Sequence, residues 1–126
     1  MKAALTHFSA RALTQLGMEA AGLIALGNLA SLHGQFGYAL AFDREPLSAL
    51  KQDISLVLSE VGASAFADSS QATCKVSHFT PSDTGLASLV ECLLPTNGER
   101  PVLVELVLVA RGDVGYLTLE QVSSAT

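Results

Sequence analysis

The feature that most constrains the fold is a series of three β-strand patterns near the C-terminus, joined by two short turns. Leu and Val dominate these strands, which we predict at about residues 86–94, 102–110 and 114–122. Pro95 and Pro101 bracket the first connection. Because proline cannot donate a hydrogen bond to a neighbouring strand, the last pair before the turn should be Leu94 with Val102.

The second connection predicts a two-residue hairpin turn at Gly112-Asp113, which pairs Arg111 with Val114. Counting back from both turns assigns the side chains to two faces. One face is uniformly apolar and is the predicted core face; it holds Val90, Cys92, Leu94, Val102, Val104, Leu106, Leu108, Leu117 and Leu119. Three consecutive antiparallel strands of this kind predict a meander across about residues 86–122.

The second face is also mostly apolar, but it carries one acidic row. In this register Glu105 lies opposite Glu91 on one side and opposite Glu120 on the other. The other residues of this face are aliphatic, apart from Tyr116 and Thr118; the aliphatic ones are Leu89, Leu93, Leu103, Val107 and Val109. A tight turn at Asn97-Gly98 would shift the register and point Glu91 into the core, which is disfavoured because it buries a charge.

The glutamate row is the constellation with the most chemistry in this sequence. Directly opposed strand residues have β-carbons roughly 5 Å apart, so three carboxylates would lie side by side. Such a row could bind a divalent cation, form an acid/base pair or grip a partner's Lys or Arg. It could equally be a solvated stripe that protects the sheet from aggregation. We predict that Glu91, Glu105, Glu120 and Tyr116 form a binding surface, with no cofactor and no dedicated metal site.

A strong amphipathic helix is predicted at about residues 45–61. Its apolar stripe has alternating spacings of three and four residues and consists of Leu47, Leu50, Ile54, Val57 and Val61. Pro46 suits the first turn, and Gly62 is placed to end the helix. This stripe predicts a helix that packs on the core face of the sheet.

The N-terminal third is predicted to be a helical segment over residues 5–32, with a break or bend at Gly17. Residues 21–42 could also form a hairpin of short strands, and the pattern leaves both open. In the helical version, "HGQFG" is a turn and "FGYALAF" a short strand. A further strand, "ATCKVSHF", follows the amphipathic helix. The sequence therefore predicts a single α+β domain over residues 1–126.

Charge and hydrophobicity bear on the partners. Only 15% of the residues are charged, against a usual fraction of about a quarter, so apolar surface patches are expected. We predict a homo-oligomer, most simply a two-fold dimer. The net charge of −5 and the scattered Lys and Arg residues argue against binding to nucleic acid or to an anionic membrane surface. Polar residues within the uncharged run 20–42 argue against a membrane span.

The chain has two cysteines, Cys74 and Cys92, which are too few for a disulfide framework. We therefore predict two buried free thiols in a reducing compartment, and hence a cytoplasmic location. A bridge between them is possible if their strands are adjacent. A soft metal site built from Cys74, His78 and Cys92 has fewer ligands than zinc prefers, and we do not predict one.

The sequence favours a non-enzymatic binding or protein-interaction module that forms a homodimer, with a small ligand or a protein as partner. The alternative is a small hydrolase or isomerase that uses two of the three sheet-face glutamates.

Overall fold

The centre of the structure is a five-stranded antiparallel sheet. The computed structural model describes residues 1–80 and 82–125. The strands are β1 (Lys2–Ala4), β2 (Thr73–His78), β3 (Leu86–Leu94), β4 (Val102–Arg111) and β5 (Val114–Ser124). Their spatial order is β1-β5-β4-β3-β2, so the last three strands of the chain form the predicted meander. The α+β class and the meander are therefore confirmed.

Three helices precede β2 in the chain. They are α1 (Ala10–Leu26), α2 (Leu29–Phe36) and α3 (Pro46–Glu60), with short 3-10 turns at Leu5–His7, Ala39–Ala41 and Ser69–Gln71. The predicted helical segment is thus two helices, and the hairpin alternative for residues 21–42 is wrong. Gly27 separates them with a φ of +73°, the left-handed conformation that glycine adopts readily at a helix end. The Asn28 side chain then caps α2 by accepting a hydrogen bond from the Ser31 amide.

Gly17 lies inside α1 and does not break it, which corrects the prediction of a break or bend. The physical reason is close packing of the helix on the sheet. A β-carbon built at Gly17 would lie 2.7 Å from Cys92 Sγ and 2.9 Å from Val90 Cγ1. Glycine is therefore required here by the approach of the sheet rather than by backbone bending.

The predicted strand "FGYALAF" is wrong, because this segment forms the 3-10 turn Ala39–Ala41. Its alternating apolar residues serve to anchor the turn on α3. The Tyr38 ring is buried and its hydroxyl donates to Asp53 Oδ2 at 2.6 Å. Arg44 donates to the carbonyl oxygens of Leu40 and Ala41. These contacts satisfy the polar backbone groups without a neighbouring strand.

Helix α3 confirms the amphipathic helix that the sequence predicts. The Glu45 carboxylate caps it by accepting from the Leu47 and Ser48 amides, and Pro46 occupies the first turn. The hydrogen bonds from these amides hold the pKa of Glu45 below its usual range. Four residues of the predicted stripe are buried and the fifth, Leu47, is exposed.

The register of the meander follows the turns that the sequence indicates. Leu94 pairs with Val102 and Arg111 with Val114, as predicted from the prolines and the Gly112-Asp113 turn. All nine predicted core-face residues are buried in one cluster with apolar residues of the helices. The helices therefore lie on the core face, and the opposite face is left without a covering layer in the described part of the chain.

Candidate binding surface

We call the uncovered side of the sheet the open face. Its residues alternate along β2–β5 with the buried core positions and include Thr73, Lys75, Ser77, Leu89, Glu91, Leu93, Leu103, Glu105, Val107, Val109, Tyr116, Thr118, Gln121 and Ser123. Most of these side chains are half-buried by their neighbours, while Leu93 and Tyr116 keep 40% and 38% of their surface exposed. The structure thus presents a mixed surface, in which leucine and valine side chains of β3 and β4 lie beside polar or charged side chains from each of β2–β5.

The acidic row is only partly the one that the sequence predicts. Glu91 lies opposite Glu105, as expected. Glu105, however, lies opposite Gln121 rather than Glu120, because a β-bulge interrupts the ladder between Glu105 and Leu106. The Gln121 amide donates to Glu105 Oε1 at 2.6 Å. The prediction that Glu120 faces Glu105 is therefore wrong.

The bulge has a physical reason in the order of the side chains on β5. In a regular strand, Gln121 would follow Leu119 onto the core face, because side chains on one face recur every second residue. The extra residue, Glu120, instead places Val122 opposite Val104 in the core and returns Gln121 to the open face. The bulge thereby avoids the burial of an amide without partners in the core.

A cation completes the row at its other end. Lys75 on β2 lies opposite Glu91, so the polar row across the sheet is Lys75, Glu91, Glu105 and Gln121. The alternation of β2 together with its register on β3 could have revealed Lys75 from the sequence. In the described part of the chain, Lys75 and Glu91 do not approach closely enough to form a salt bridge. Both charged groups therefore remain available to a partner.

Tyr116 lies away from this row. It pairs with Val109, four residues along β4 from Glu105, which corresponds to about 14 Å. The Lys2 ammonium group is 5.8 Å from the centre of the Tyr116 ring, within the range of a cation–π contact. The structure therefore places Tyr116 on the same face as Glu91 and Glu105 but does not bring it to them.

A shallow groove of about 460 Å³ lies at the β2–β4 end of the open face. It is lined by Thr73, Cys74, Lys75, Glu91, Leu93, Leu103 and Ala125. Leu93 and Leu103 provide an apolar floor, while Lys75 and Glu91 provide one charge of each sign. Glu105 and Glu120 are outside this lining, so the groove contacts one carboxylate of the predicted set.

The two cysteines are bonded to each other, so the prediction of two free thiols is wrong. Cys74 and Cys92 lie directly opposite each other on β2 and β3, with their α-carbons 4.1 Å apart. Both side chains face the core, and Cys92 is fully buried. The alternative that the sequence left open, a bridge between adjacent strands, is the one observed.

A second polar cluster, which the sequence analysis missed, joins the turn at residues 38–44 to α3. Arg44 forms a two-pronged ion pair with Asp53, with both nitrogen–oxygen distances at 2.9 Å. The hydrogen bonds from Arg44 hold the pKa of the Asp53 carboxyl below its usual range. Burial, followed by the hydrogen bond to Asp53, raises the pKa of Tyr38 far above its ordinary value. An open cavity of about 280 Å³ adjoins the cluster, and Tyr38, Asp53 and Glu60 are among its lining residues. The contacts between Tyr38, Arg44 and Asp53 fix the turn on α3.

Within residues 1–80 and 82–125, no three His, Cys, Asp or Glu side chains are grouped closely enough to hold a metal ion. In the same residues, none of the helices has both the length and the apolar character needed to span a membrane.

Comparisons of this chain with protein-family models, with curated proteins and with solved structures find no match. The chemistry of the open face is therefore the basis for any functional assignment.

Proposed function

We propose that this protein is a non-enzymatic binding or protein-interaction module that forms a homodimer through the open face. The observation that carries the proposal is the uncovered second face of the sheet, with its large apolar side chains partly exposed. Apolar sheet faces of this extent are commonly covered by another layer, because burial of apolar surface stabilises an association by roughly 25 cal/mol per Å². The low charge of the chain supports the same conclusion.

A second copy of the chain has the chemistry needed to cover this face. It offers an equally apolar sheet face, and its Lys75 provides a cation for the Glu91 and Glu105 carboxylates of the first copy. Two-fold symmetry makes each such contact occur twice. A homodimer of this kind would bury the exposed part of Leu93 against the second copy.

The test is the mass in solution of wild type and of two lysine variants. Wild type should have twice the 13.1 kDa mass of the chain in light scattering coupled to size exclusion. Leu93→Lys adds a charge to the open face and should give a monomer. Leu56→Lys is the matched control, because Leu56 is an exposed leucine on α3, with 59% of its surface exposed.

A monomeric wild type at micromolar concentration would contradict the homodimer. Equal loss of the dimer in both variants would also contradict it, because the interface would then not be the open face. Melting temperatures of the three proteins establish that each variant is folded.

The enzymatic alternative, a small hydrolase or isomerase, needs two carboxylates that reach one substrate. The direct opposition of Glu91 and Glu105 supports it, and roughly 5 Å between β-carbons is compatible with an acid/base pair. The hydrogen bond from Gln121 to Glu105 and the position of Glu105 outside the groove weigh against it. A hydrolytic activity lost in both Glu91→Gln and Glu105→Gln would replace the first proposal with this one.

We also propose a cytoplasmic location, with one condition that the disulfide imposes. Cytosolic disulfides are usually transient, because glutathione and thioredoxin keep thiols reduced. The Cys74–Cys92 bond would then form and break in the cell. A bond that is permanently oxidised in material taken directly from cells would instead support an oxidising compartment.

A further inference from the structure

The contact between α1 and the disulfide leaves no room for a side chain at position 17. α1 crosses the sheet at Gly17, directly over the bonded sulfurs. A β-carbon on Gly17 would be 2.7 Å from Cys92 Sγ and 3.1 Å from Cys74 Sγ, distances that normal packing does not allow. The helix therefore reaches the sheet only because residue 17 has no side chain.

The disulfide also lies where the sheet is least secured. In the part of the chain that the structure describes, β2 is an edge strand that pairs with β3 alone, and it is six residues long. Cys74 is half-buried on this strand, whereas Cys92 on β3 is fully buried. Helix α1 packs over both strands. Any change in the space that the sulfurs occupy is therefore transmitted to α1 and to an edge strand.

We propose that the Cys74–Cys92 disulfide is a redox-sensitive lock that holds edge strand β2 between α1 and β3, and that a dithiol reductant opens it. Two thiols need more room than a bonded pair, because non-bonded atoms of this size separate to roughly 4 Å. The glycine contact provides no such room. Reduction therefore moves α1 or β2 away from β3, and β2 yields because one strand neighbour holds it.

The reaction is an ordinary thiol–disulfide exchange. A thiolate of the reductant attacks the sulfur of Cys74, the less buried of the two residues, and forms a mixed disulfide while Cys92 leaves as a thiolate and takes up a proton. The second thiol of the reductant loses its proton and attacks the mixed disulfide, which releases Cys74 as a thiol and leaves the reductant as a disulfide. Two electrons and two protons pass to the protein.

The lock has a consequence for the groove on the open face, because β2 contributes Thr73 and Lys75 to its lining. Displacement of β2 would separate Lys75 from Glu91 and change the polar row. This consequence rests on the proposed function, whereas the lock itself does not.

The test is hydrogen–deuterium exchange of the protein alone, before and after reduction with dithiothreitol. We expect exchange of the β2 amides and of the α1 turn around Gly17 to become about tenfold faster, while β4 and β5 amides keep their protection. Reoxidation should restore the original pattern. The readout needs neither ligand nor dimer, so a failure here is distinct from a failure of the light-scattering test.

Two variants isolate the cause. Gly17→Ala in the oxidised protein adds volume at the same contact and should speed exchange in the same segments. Cys74→Ala/Cys92→Ala removes both the bond and the bulk of the sulfurs, so β2 should stay more protected than in reduced wild type. Equal exchange in this double variant and in reduced wild type would overturn the proposal, since crowding would not be the cause.

Three further outcomes would overturn it as well. One is two free thiols in the oxidised preparation, measured by thiol counting under denaturing conditions. Another is unchanged β2 exchange after complete reduction. The last is a uniform rise in exchange throughout the sheet, which would show a disulfide that only stabilises the whole fold.

Discussion

Phe42 adopts a backbone conformation that is costly for any residue with a side chain. Its φ is +51° and its ψ is −120°, and it is the one non-glycine residue with a positive φ in the described part of the chain. The Arg44 amide donates to the Ala41 carbonyl at 2.9 Å and closes a tight turn around it. Glycine is the usual residue at this position of such a turn. The Arg44–Asp53 ion pair holds the turn in place against the strain.

Phe42→Gly should therefore stabilise the protein. Relief of the strained backbone outweighs the greater flexibility of glycine in the unfolded chain, for a net gain of about 1 kcal/mol in the free energy of unfolding. Little packing is lost, because 80% of the Phe42 surface is exposed. Urea denaturation measures the change. Phe79→Gly is the control and should destabilise; a Phe42→Gly variant that also destabilises would show that the strain is small.

Asp53→Asn should destabilise the protein in a pH-dependent way. The folded-state pKa of Asp53 is depressed, chiefly by the hydrogen bonds from Arg44. A depressed carboxyl pKa contributes stability that is present above the unfolded value of roughly 3.9 and is lost as the pH falls toward the folded value. We expect a cost of about 1 kcal/mol at pH 7, reduced by solvent around the partly exposed Arg44.

The measurement is the free energy of unfolding of wild type and Asp53→Asn between pH 7 and pH 3. The difference should be constant down to about pH 5 and then shrink. Asp43→Asn removes a neighbouring exposed carboxylate outside the cluster and controls for the change in net charge. A difference that does not vary with pH would contradict a depressed pKa of Asp53 in the folded protein.

Among the elements, β5 shows most directly how the side chains select the register. The bulge at Glu120 exchanges the faces of the residues that follow it, so that Val122 is buried and Gln121 is not. A regular strand would give the reverse. Substitutions at Gln121 and Val122 therefore distinguish a bulged strand from a regular one.

Val122→Ala should cost about 2 kcal/mol, since it removes two buried methyl groups and leaves a small cavity. Gln121→Ala should cost well under about 1 kcal/mol, because the only interaction lost is the hydrogen bond from Gln121 to Glu105 on the open face. Thermal denaturation of both variants gives the comparison. A larger cost at Gln121 than at Val122 would be incompatible with the bulge.

Much of the sheet could be predicted because its turns carry their own signals. Pro95 and Pro101 fix the register of β3 on β4, and the Gly112-Asp113 turn fixes the register of β4 on β5 beside the turn. The residues of the core face follow from these two registers. The bulge escaped prediction because counting from a turn assumes that no residue is extra. Its signal was present: Val122 suits the core and Gln121 does not.

The remaining errors arise where tertiary contacts outweigh local pattern. The segment at residues 36–42 has strand-like alternation, but the hydrogen bond from Tyr38 to Asp53 on α3 and the hydrogen bond from Arg44 to the Leu40 carbonyl hold it as a turn. The disulfide could not be predicted because it requires the register of β2 on β3, and no short turn connects those strands. Half of the polar row across the sheet was predicted: Glu91 and Glu105 lie in it as expected, whereas Lys75 and Gln121 were missed.

At the scale of the whole molecule, helices cover one side of the sheet and the disulfide fastens its far edge. The bond joins residues 18 apart in sequence. Closing a loop of this size lowers the entropy of the unfolded chain and is worth about 3 kcal/mol. For a chain of this length, that is a large part of a typical stability of roughly 5–15 kcal/mol.

Cys74→Ala/Cys92→Ala should therefore lower the melting temperature by about 10 °C relative to oxidised wild type. Differential scanning calorimetry measures it. Reduced wild type should melt no higher than the double variant, because its thiols also crowd Gly17. Equal melting temperatures for oxidised wild type and the double variant would show that the bond contributes no net stability.

The bulge also makes β5 one residue longer than its two faces require. Without Glu120, the run Leu117, Thr118, Leu119, Gln121, Val122 would alternate perfectly between core and open face. Loss of a single residue inside a buried strand ordinarily inverts every side chain beyond it. Position 120 is an exception, because removal of Glu120 would leave each later side chain on its present face. We therefore expect a chain shortened at this position to keep both faces of the sheet.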